Sequence, residues 1–236
     1  MKRPLVLNTR PRDQASDLSA LLSAAGFDVI DMPAIEIEPA WDAAELRRSS
    51  DYLQRGAYSW LVLQSANAGR MLPLERVNIM CGARTAQTLR IHAAHTLERF
   101  SASVALRILQ PLLREGERVL VPRAADGRDE LTEGLRAMGI AVDAPVAYRT
   151  VPVSPSTLAS VRDLAVDVVT VCSPSAVRAL SAGVGGEWLA ARHIVSLGAT
   201  TTQAASDLGL HVDATAERTS IGSLVQAVTT VLRAVR

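Results

Sequence analysis

Aromatic residues are scarce in this chain, and their scarcity limits how its core can be built. Only 3% of the 236 residues are Phe, Trp or Tyr, whereas 48% are hydrophobic. The cores must therefore be packed mainly from aliphatic side chains. A chain of this length is long for one ordinary domain and suits two domains of about 100 to 120 residues each.

An excess of charge and long apolar runs are also missing. The net charge is +1, which argues against a general nucleic-acid binder but leaves open a small anionic ligand that needs only local donors. No run approaches the roughly 18 apolar residues of a membrane-spanning helix. The N-terminal segment leads into only three apolar residues, 5–7, too few for a signal peptide, so we expect a cytoplasmic protein.

Cysteine and histidine offer no obvious chemistry. The two cysteines, Cys81 and Cys172, each end an apolar run, and we interpret them as small buried residues rather than as a disulfide or reactive thiols. The histidines have no metal-ligand spacing, so we expect structural or surface roles and no metal site. They are His92, His95, His193 and His211.

What the chain does contain is an alternation of short apolar runs with amphipathic segments. This pattern predicts an α/β fold with parallel sheets covered by helices on both faces. The strongest strand signal is at residues 166–172, and a short strand is predicted at 210–212. Ala15, Leu18, Leu21 and Leu22 predict the buried face of the first helix. Residues 91–102 show no simple period.

The segments also repeat in order, which predicts an internal duplication. Residues 6–10 are similar to 119–123, 26–29 to 139–142, 63–68 to 171–176, and 82–85 to 198–201. Two proline-bounded β-rich runs, 35–40 and 145–152, are interpreted as paired linkers between two lobes beside a cleft. Tyr148 lies in the second of these linkers.

Polar turns follow several predicted strands, where the functional groups of open α/β sheets lie. Helix N-termini there favour anions, although an ordinary helix cap is the more frequent role of any single such turn. As a set, these turns and the nearby arginines predict a site for a large ligand with many carboxylates. The candidate binding residues are Arg10, Arg12, Ser65, Ala66, Asn67, Gly82, Arg84, Thr85, Arg123, Ser173, Ser175, Gly198, Thr200 and Thr201.

Together these motifs resemble the uroporphyrinogen-III synthase family over nearly the whole chain. The resemblance is carried by the order and spacing of Thr-Arg-Pro at 9–11, Ser-Ala-Asn-Ala at 65–68, Tyr-Arg at 148–149, Ser-Pro-Ser-Ala-Val-Arg at 173–178 and Gly-Ala-Thr-Thr at 198–201. It implies two flavodoxin-like lobes joined by a two-stranded linker. The first lobe would be discontinuous, with residues 1–34 and 153–236, and the second would span 41–144.

The resemblance also implies a reaction. The substrate would be hydroxymethylbilane, an octacarboxylate linear tetrapyrrole, which closes to uroporphyrinogen III with loss of water and inversion of ring D. No metal or organic cofactor, no nucleic acid and no membrane would take part. Tyr148 is either the proton donor or a packing residue of the linker.

Two further expectations concern partners and alternatives. We expect a monomer, with transient contact to the enzyme that forms the bilane. The alternative is a non-catalytic two-lobed relative that binds a tetrapyrrole or another anion in a regulatory role.

Overall fold

Two α/β units make up the computed structural model, which describes residues 3–40, 43–75 and 77–234. Residues up to Glu36 and from Val151 onward form the first unit, and Ile37–Thr150 form the second. The expected start of the second lobe at residue 41, the two chain termini and the last residue of the predicted closing helix, Val235, lie outside the described residues.

Strands and helices alternate along the chain, as the apolar pattern predicts. The first half contains β1 (Leu5–Asn8), α1 (Arg12–Ala24), β2 (Asp28–Asp31), β3 (Ile35–Pro39), α2 (Ala43–Gln54), β4 (Trp60–Leu63), α3 (Ala66–Gly69), β5 (Asn78–Gly82), α4 (Ala83–Leu89), β6 (His95–Leu97) and α5 (Ala102–Leu109). The second half contains β7 (Arg118–Leu120), β8 (Arg123–Ala124), α6 (Glu130–Ala137), β9 (Ala141–Asp143), β10 (Val146–Pro152), α7 (Pro155–Ala159), β11 (Val168–Val171), α8 (Pro174–Val184), α9 (Gly186–Ala190), β12 (His193–Ser196), α10 (Ala199–Ser206), β13 (Ala214–Thr215) and α11 (Ile221–Ala234).

The first unit contains a five-stranded parallel sheet with the strand order β13-β12-β11-β1-β2. Neighbouring residues of β1 point to opposite faces, as the period of a strand requires. Val6 belongs to one aliphatic cluster with Leu18 of α1, whereas Leu7 belongs to another with Leu180 of α8. Burial on both faces explains why β1 and β11 are almost wholly apolar.

Two details of the sequence interpretation of this unit are wrong. Leu21 is 41% exposed, so the buried face of α1 consists of Ala15, Leu18 and Leu22. Residues 210–212 form no strand, because Leu210 packs into a core and the edge strand comes later, at Ala214–Thr215.

The second unit repeats the arrangement with the strand order β6-β5-β4-β7-β9, again parallel. Its edge strand β6 lies within the stretch that showed no period. Three residues of β6 pair with β5, and only Leu97 among them is buried. A strand that buries one side chain leaves little apolar pattern in the sequence, which explains the missing signal.

A third, smaller sheet has the order β3-β10-β8. The sequence predicts a turn at Pro122 and Arg123, but Arg123 and Ala124 form a short strand parallel to β10. The backbone N–H of Arg123 donates to the carbonyl of Pro145 at 3.0 Å, and that of Ala125 to the carbonyl of Tyr148 at 2.9 Å. The two strands that the sequence interpretation expected to be paired linkers, β3 and β10, therefore lie in a sheet with a third strand, β8.

Neither a membrane-spanning helix nor a disulfide occurs among the described residues. Within these residues no helix combines the length and apolarity needed to cross a membrane. Cys81 is fully buried and Cys172 is half-buried, and neither forms a disulfide. Burial raises the pKa of the Cys81 thiol, so this residue has the character of a core side chain.

Asp213, directly before the edge strand β13, holds the start of β12 in the first sheet. One carboxylate oxygen accepts from the backbone N–H of Ile194 at 2.8 Å, and the other contacts Nδ1 of His193 at 2.7 Å. Burial by itself would raise the pKa of Asp213, but the hydrogen bonds from His193 and Ile194 outweigh burial. The net pKa is lowered below the ordinary value for aspartate.

This depressed pKa predicts a pH-dependent stability. The ionised form is favoured in the folded chain, so its contribution is complete above the ordinary pKa and is lost as the pH falls through the folded pKa. Asp213→Asn should lower the free energy of unfolding by about 1–3 kcal/mol at about pH 7, and the difference should shrink below about pH 4.

Urea denaturation at these two pH values measures the effect. Asp207→Asn is the matched control, because Asp207 is an exposed carboxylate of the same unit whose side chain, among the described residues, accepts from the side chain of Gln203 alone. An equal destabilisation by Asp213→Asn at both pH values would contradict the assignment to the ionised carboxylate.

Candidate functional site

Tyr148 combines a buried ring with a hydrogen-bonded hydroxyl. Only 8% of the residue is exposed, and its ring belongs to the aliphatic cluster of the second unit that includes Leu61 and Leu63. The hydroxyl lies 3.0 Å from Oγ of Ser65, and either oxygen can be the donor. The packing of the ring and this hydrogen bond together fix the position of the phenolic oxygen.

Ser65 is itself held by the start of a helix. It is the N-cap of α3, and its Oγ accepts from the backbone N–H of Ala68 at 3.3 Å. A serine hydroxyl has two acceptor lone pairs and one proton, so Oγ can serve the cap and Tyr148 together. The cap fixes the serine, and the serine in turn orients the tyrosine hydroxyl.

A cavity of about 230 Å³ lies beside this pair, and we call it the tyrosine cavity. It brings together three residues predicted from the sequence, namely Tyr148, Ser65 and Arg123. Its complete described lining is Gln64, Ser65, Pro122, Arg123, Ala124, Asp126, Gly127, Arg128 and Tyr148. Half of the lining residues that the sequence interpretation missed, Asp126, Gly127 and Arg128, are in the loop between β8 and α6, which has no periodicity and therefore gave no signal.

Arg123 is only partly available to a ligand. Its Nη1 donates to the carbonyl of Gly127 at 3.2 Å and to the carboxylate of Asp129 at 2.5 Å. A Cβ at Gly127 would lie 3.0 Å from the carbonyl oxygen of Ala124, so glycine permits this tight loop. Nε of Arg123 is buried and has no hydrogen-bond partner in the described part of the chain. An incoming anion would compete with Asp129 for this guanidinium.

A second cavity of about 210 Å³ shares Gln64 and Arg128 with the tyrosine cavity, and we call it the Phe100 cavity. Its lining consists of Gln64, Phe100, Ser101, Ala102, Arg128, Glu130 and Leu131. The second unit therefore has two cavities that adjoin the same two polar side chains.

The other candidates in the second unit lie outside the described linings of both cavities. Ala66 and Asn67 are half-buried at the start of α3, and Arg84 is exposed in α4. Gly82 is buried at the N-cap of α4, and Thr85 is only 8% exposed. The structure therefore groups Ser65 with Tyr148 and leaves the α4 turn apart from them.

In the first unit, Arg12 lines a cavity of about 430 Å³ together with Asp31 and Glu36. Two carboxylates beside one guanidinium make this cavity less suited to an anion than the tyrosine cavity. Arg10 is not in that lining, and its Nη2 donates to the side chain of Gln14 at 3.3 Å.

The two predicted helix starts of the first unit are capped differently. Ser173 is the N-cap of α8, where its Oγ accepts from Ala176 N–H and lies 3.0 Å from Oγ of Ser175. Gly198 is the N-cap of α10 and has no side chain to cap with. In the same turn Thr200 is exposed, whereas Thr201 is only 3% exposed.

The described residues contain no preformed metal-binding site. Over residues 3–40, 43–75 and 77–234, no three His, Cys, Asp or Glu side chains form a group that could hold a metal ion. The polar groups of the tyrosine cavity are a tyrosine, a serine, a glutamine, two arginines and one aspartate. These groups can donate hydrogen bonds and bind carboxylates, and they contain no activated nucleophile.

Comparison with known proteins gives a consistent result. A family model described as uroporphyrinogen-III synthase HemD matches residues 16–226. The uroporphyrinogen-III synthase of Synechococcus elongatus is 26% identical over 250 residues, covering 94% of this chain and 93% of that protein. A porphyrin biosynthesis protein HemD of Ruminiclostridium josui is 24% identical over 249 residues, covering 95% of this chain and 49% of that protein.

Solved structures agree at the level of the fold. The uroporphyrinogen-III synthetase of Helicobacter pylori has a TM-score of 0.63 at 18% identity, covering 98% of this chain and all of that one. A mutant uroporphyrinogen III synthase of Thermus thermophilus has a TM-score of 0.59 at 18% identity, covering 99% of this chain and 100% of that one. Because the family model spans most of the sequence, the chain belongs to the uroporphyrinogen-III synthase family.

Proposed function

We propose that this protein cyclises hydroxymethylbilane to uroporphyrinogen III, with loss of water and inversion of ring D. Family membership supports the reaction, and one observation carries its assignment to a site. Tyr148, its partner Ser65 and two arginines line the same cavity. A proton donor beside cationic groups suits a substrate that must lose a hydroxyl and carries carboxylates on every ring.

The proposed first step is departure of the terminal hydroxyl. The pyrrole nitrogen supplies the electron pair that breaks the C–O bond, and Tyr148 donates its proton so that water leaves. The resulting azafulvene cation is attacked by the substituted carbon of ring D, which gives a spiro intermediate. The original bond from that carbon to the methylene bridge of ring C then breaks, which restores the aromaticity of ring D and leaves a second azafulvene cation on ring C. The unsubstituted α-carbon of ring D attacks this methylene, closes the macrocycle and loses its proton, which the tyrosinate can accept.

The demanding part of this reaction is positioning rather than acid–base catalysis. The reactive cation needs little further help, but ring D must present the carbon that already carries a substituent. This explains why a site without a nucleophile or a metal cluster among its described residues is sufficient. It also gives the hydrogen bond between Ser65 and Tyr148 a role, because that bond fixes the direction of the donor.

Tyr148 is a better candidate donor than Tyr58, the other buried tyrosine. Burial, followed by the hydrogen bond to Asp143, strongly raises the pKa of Tyr58. Its hydroxyl donates to the Asp143 carboxylate at 2.6 Å, so its proton is held in that hydrogen bond and is less available to a substrate. Tyr58 is also absent from the described linings of both cavities.

The remaining parts of the sequence interpretation stay proposals. They include the binding roles of Arg10, Arg12, Ser173, Ser175 and the helix starts near Gly82 and Gly198. They also include the two lobes, at 1–34 with 153–236 and at 41–144, and the linkers at 35–40 and 145–152. We further propose that the protein is cytoplasmic and monomeric, contacts the bilane-forming enzyme only transiently, and uses neither a metal nor an organic cofactor.

The test of the overall function is an assay with bilane supplied by the preceding enzyme. Uroporphyrinogen III must form faster than isomer I, the symmetric product of closure without catalysis. If only isomer I appears while a tetrapyrrole still binds, the protein is the non-catalytic relative. The combination of Tyr148 and Ser65 at one cavity favours the enzyme.

Tyr148→Phe should lower turnover by roughly ten- to a hundred-fold, the low end of general acid catalysis, because pyrrole-driven departure needs only mild acid help. The product should remain isomer III, since the rest of the cavity is unchanged. Stability should fall by about 1 kcal/mol or less, the net worth of one hydrogen bond to Ser65.

Steady-state kinetics with separation of the product isomers measures this effect. Tyr52→Phe is the matched control, because Tyr52 is 36% exposed and is absent from the described cavity linings. Full turnover in Tyr148→Phe would reduce Tyr148 to a packing residue, and a shift towards isomer I would make it a positioning group instead.

Arg10→Ala and Arg123→Ala should each raise KM more than they lower kcat. Carboxylate contacts are made equally in the ground and transition states, so their loss weakens binding without slowing the chemical step. Arg114→Ala, which removes an exposed arginine, serves as the control for the loss of one charge. A reduced kcat at unchanged KM would show that these arginines act in another way.

A further inference from the structure

Arg128 differs from the other arginine of the tyrosine cavity in having no hydrogen-bond or ion-pair partner among the described residues. Arg123 is engaged by Asp129 and by the carbonyl of Gly127. By contrast, neither Arg128 nor Gln64 makes a hydrogen bond or ion pair within the part of the chain that the structure describes. The two side chains that line both cavities are therefore also two polar side chains whose donors are available.

The sizes of the cavities limit what each can hold. Their volumes of about 230 and 210 Å³ are below the roughly 300–1,000 Å³ of pockets that bind drug-sized ligands. Each can accept one ring or side arm of a tetrapyrrole but not the whole molecule. A ligand that fills both cavities would contact Arg128 and Gln64, because these residues belong to both linings.

The chemistry of the Phe100 cavity indicates how it would be filled. Phe100 offers an aromatic surface to a pyrrole ring. Glu130 is in the same lining and repels a carboxylate, whereas the guanidinium of Arg128 attracts one and can bind it with two hydrogen bonds. A pyrrole packed against Phe100 would therefore direct its carboxylate arm towards Arg128 and away from Glu130.

We propose that Arg128, assisted by the amide of Gln64, binds one carboxylate of the bilane between the two cavities and is a specificity-determining residue of the reaction. This inference rests on the proposed function for the identity of the ligand. One pyrrole packs against Phe100, and the neighbouring ring is then held in the tyrosine cavity beside Tyr148. Arg128 therefore helps to decide which carbon of the terminal ring reaches the cation.

The first experiment measures binding without turnover. Uroporphyrin III, the oxidised product with the same carboxylate side arms, is titrated into the wild type and variants by isothermal titration calorimetry. Arg128→Ala should raise Kd by about ten- to a hundred-fold, the usual cost of a lost hydrogen bond to a charged group. Arg128→Lys, which keeps the charge but not the forked geometry, should recover part of the affinity.

Arg107→Ala is the matched control. Arg107 is an exposed arginine of α5 in the same unit and is absent from the described linings of both cavities. Its loss removes the same charge and should change Kd by less than about two-fold, as expected for a distant, screened charge. Equal Kd values for Arg128→Ala and Arg107→Ala, with unchanged thermal melting, would overturn the proposal.

A double-mutant cycle tests whether Gln64 and Arg128 bind the same group. If they share one carboxylate, Gln64→Ala should matter less in the Arg128→Ala background than in the wild type, because coupled residues are not additive. Strictly additive effects would overturn the shared carboxylate.

The second experiment measures KM, kcat and the ratio of product isomers with bilane. Arg128→Ala should raise KM and increase the share of isomer I, which a purely structural residue would not do at unchanged stability. If the wild type makes isomer III while Arg128→Ala matches Arg107→Ala in KM and isomer ratio, this inference fails and the proposed function stands. If the wild type makes only isomer I but Arg128 still determines the Kd of uroporphyrin III, the proposed reaction fails and the binding site stands.

Discussion

The short pairing of β8 with β10 is the constraint on which the candidate site depends. Two backbone hydrogen bonds, from Arg123 to Pro145 and from Ala125 to Tyr148, hold the loop after β7 against the strand that carries the tyrosine. Without this pairing the loop would have no fixed register relative to Tyr148. The guanidinium of Arg123 and the side chain of Arg128 reach the same cavity as Tyr148 because the backbone brings them there.

The other half of the site comes from a different part of the second unit. Ser65 and Gln64 follow β4, a fully buried strand at the centre of the sheet. A strand end of this kind is rigid because its neighbours on both sides hold it, and α3 begins directly after it. The tyrosine hydroxyl is therefore oriented by a residue that the core itself positions, which suits a reaction dominated by placement.

The sequence predicts the strands of the sheets well where burial on both faces leaves an unbroken apolar run. The apolar run 60–63 coincides with β4, and the apolar run 5–7 covers β1 except for its last residue, Asn8. Periodicity gives no signal for strands that form mainly through tertiary contacts. β6 buries a single leucine, and β8 forms because it pairs with β10. The proline-bounded run 145–152 and the family resemblance, rather than periodicity, indicate Tyr148, and the structure adds its contact with Ser65.

Asp129 shows why residue type alone could not rank the two arginines of the cavity. It occupies the N-cap position of α6, but its side chain caps nothing there and instead pairs with Arg123. The Asp129 carboxylate can therefore serve one of two groups. It can pair with the guanidinium of Arg123, or it can accept from the backbone N–H groups in the first turn of α6, which need an acceptor. An anion that displaces Asp129 from Arg123 would release a carboxylate beside those donors. The exchange of partners at Arg123 would then cost less free energy than breaking an ion pair whose carboxylate gains no new donors.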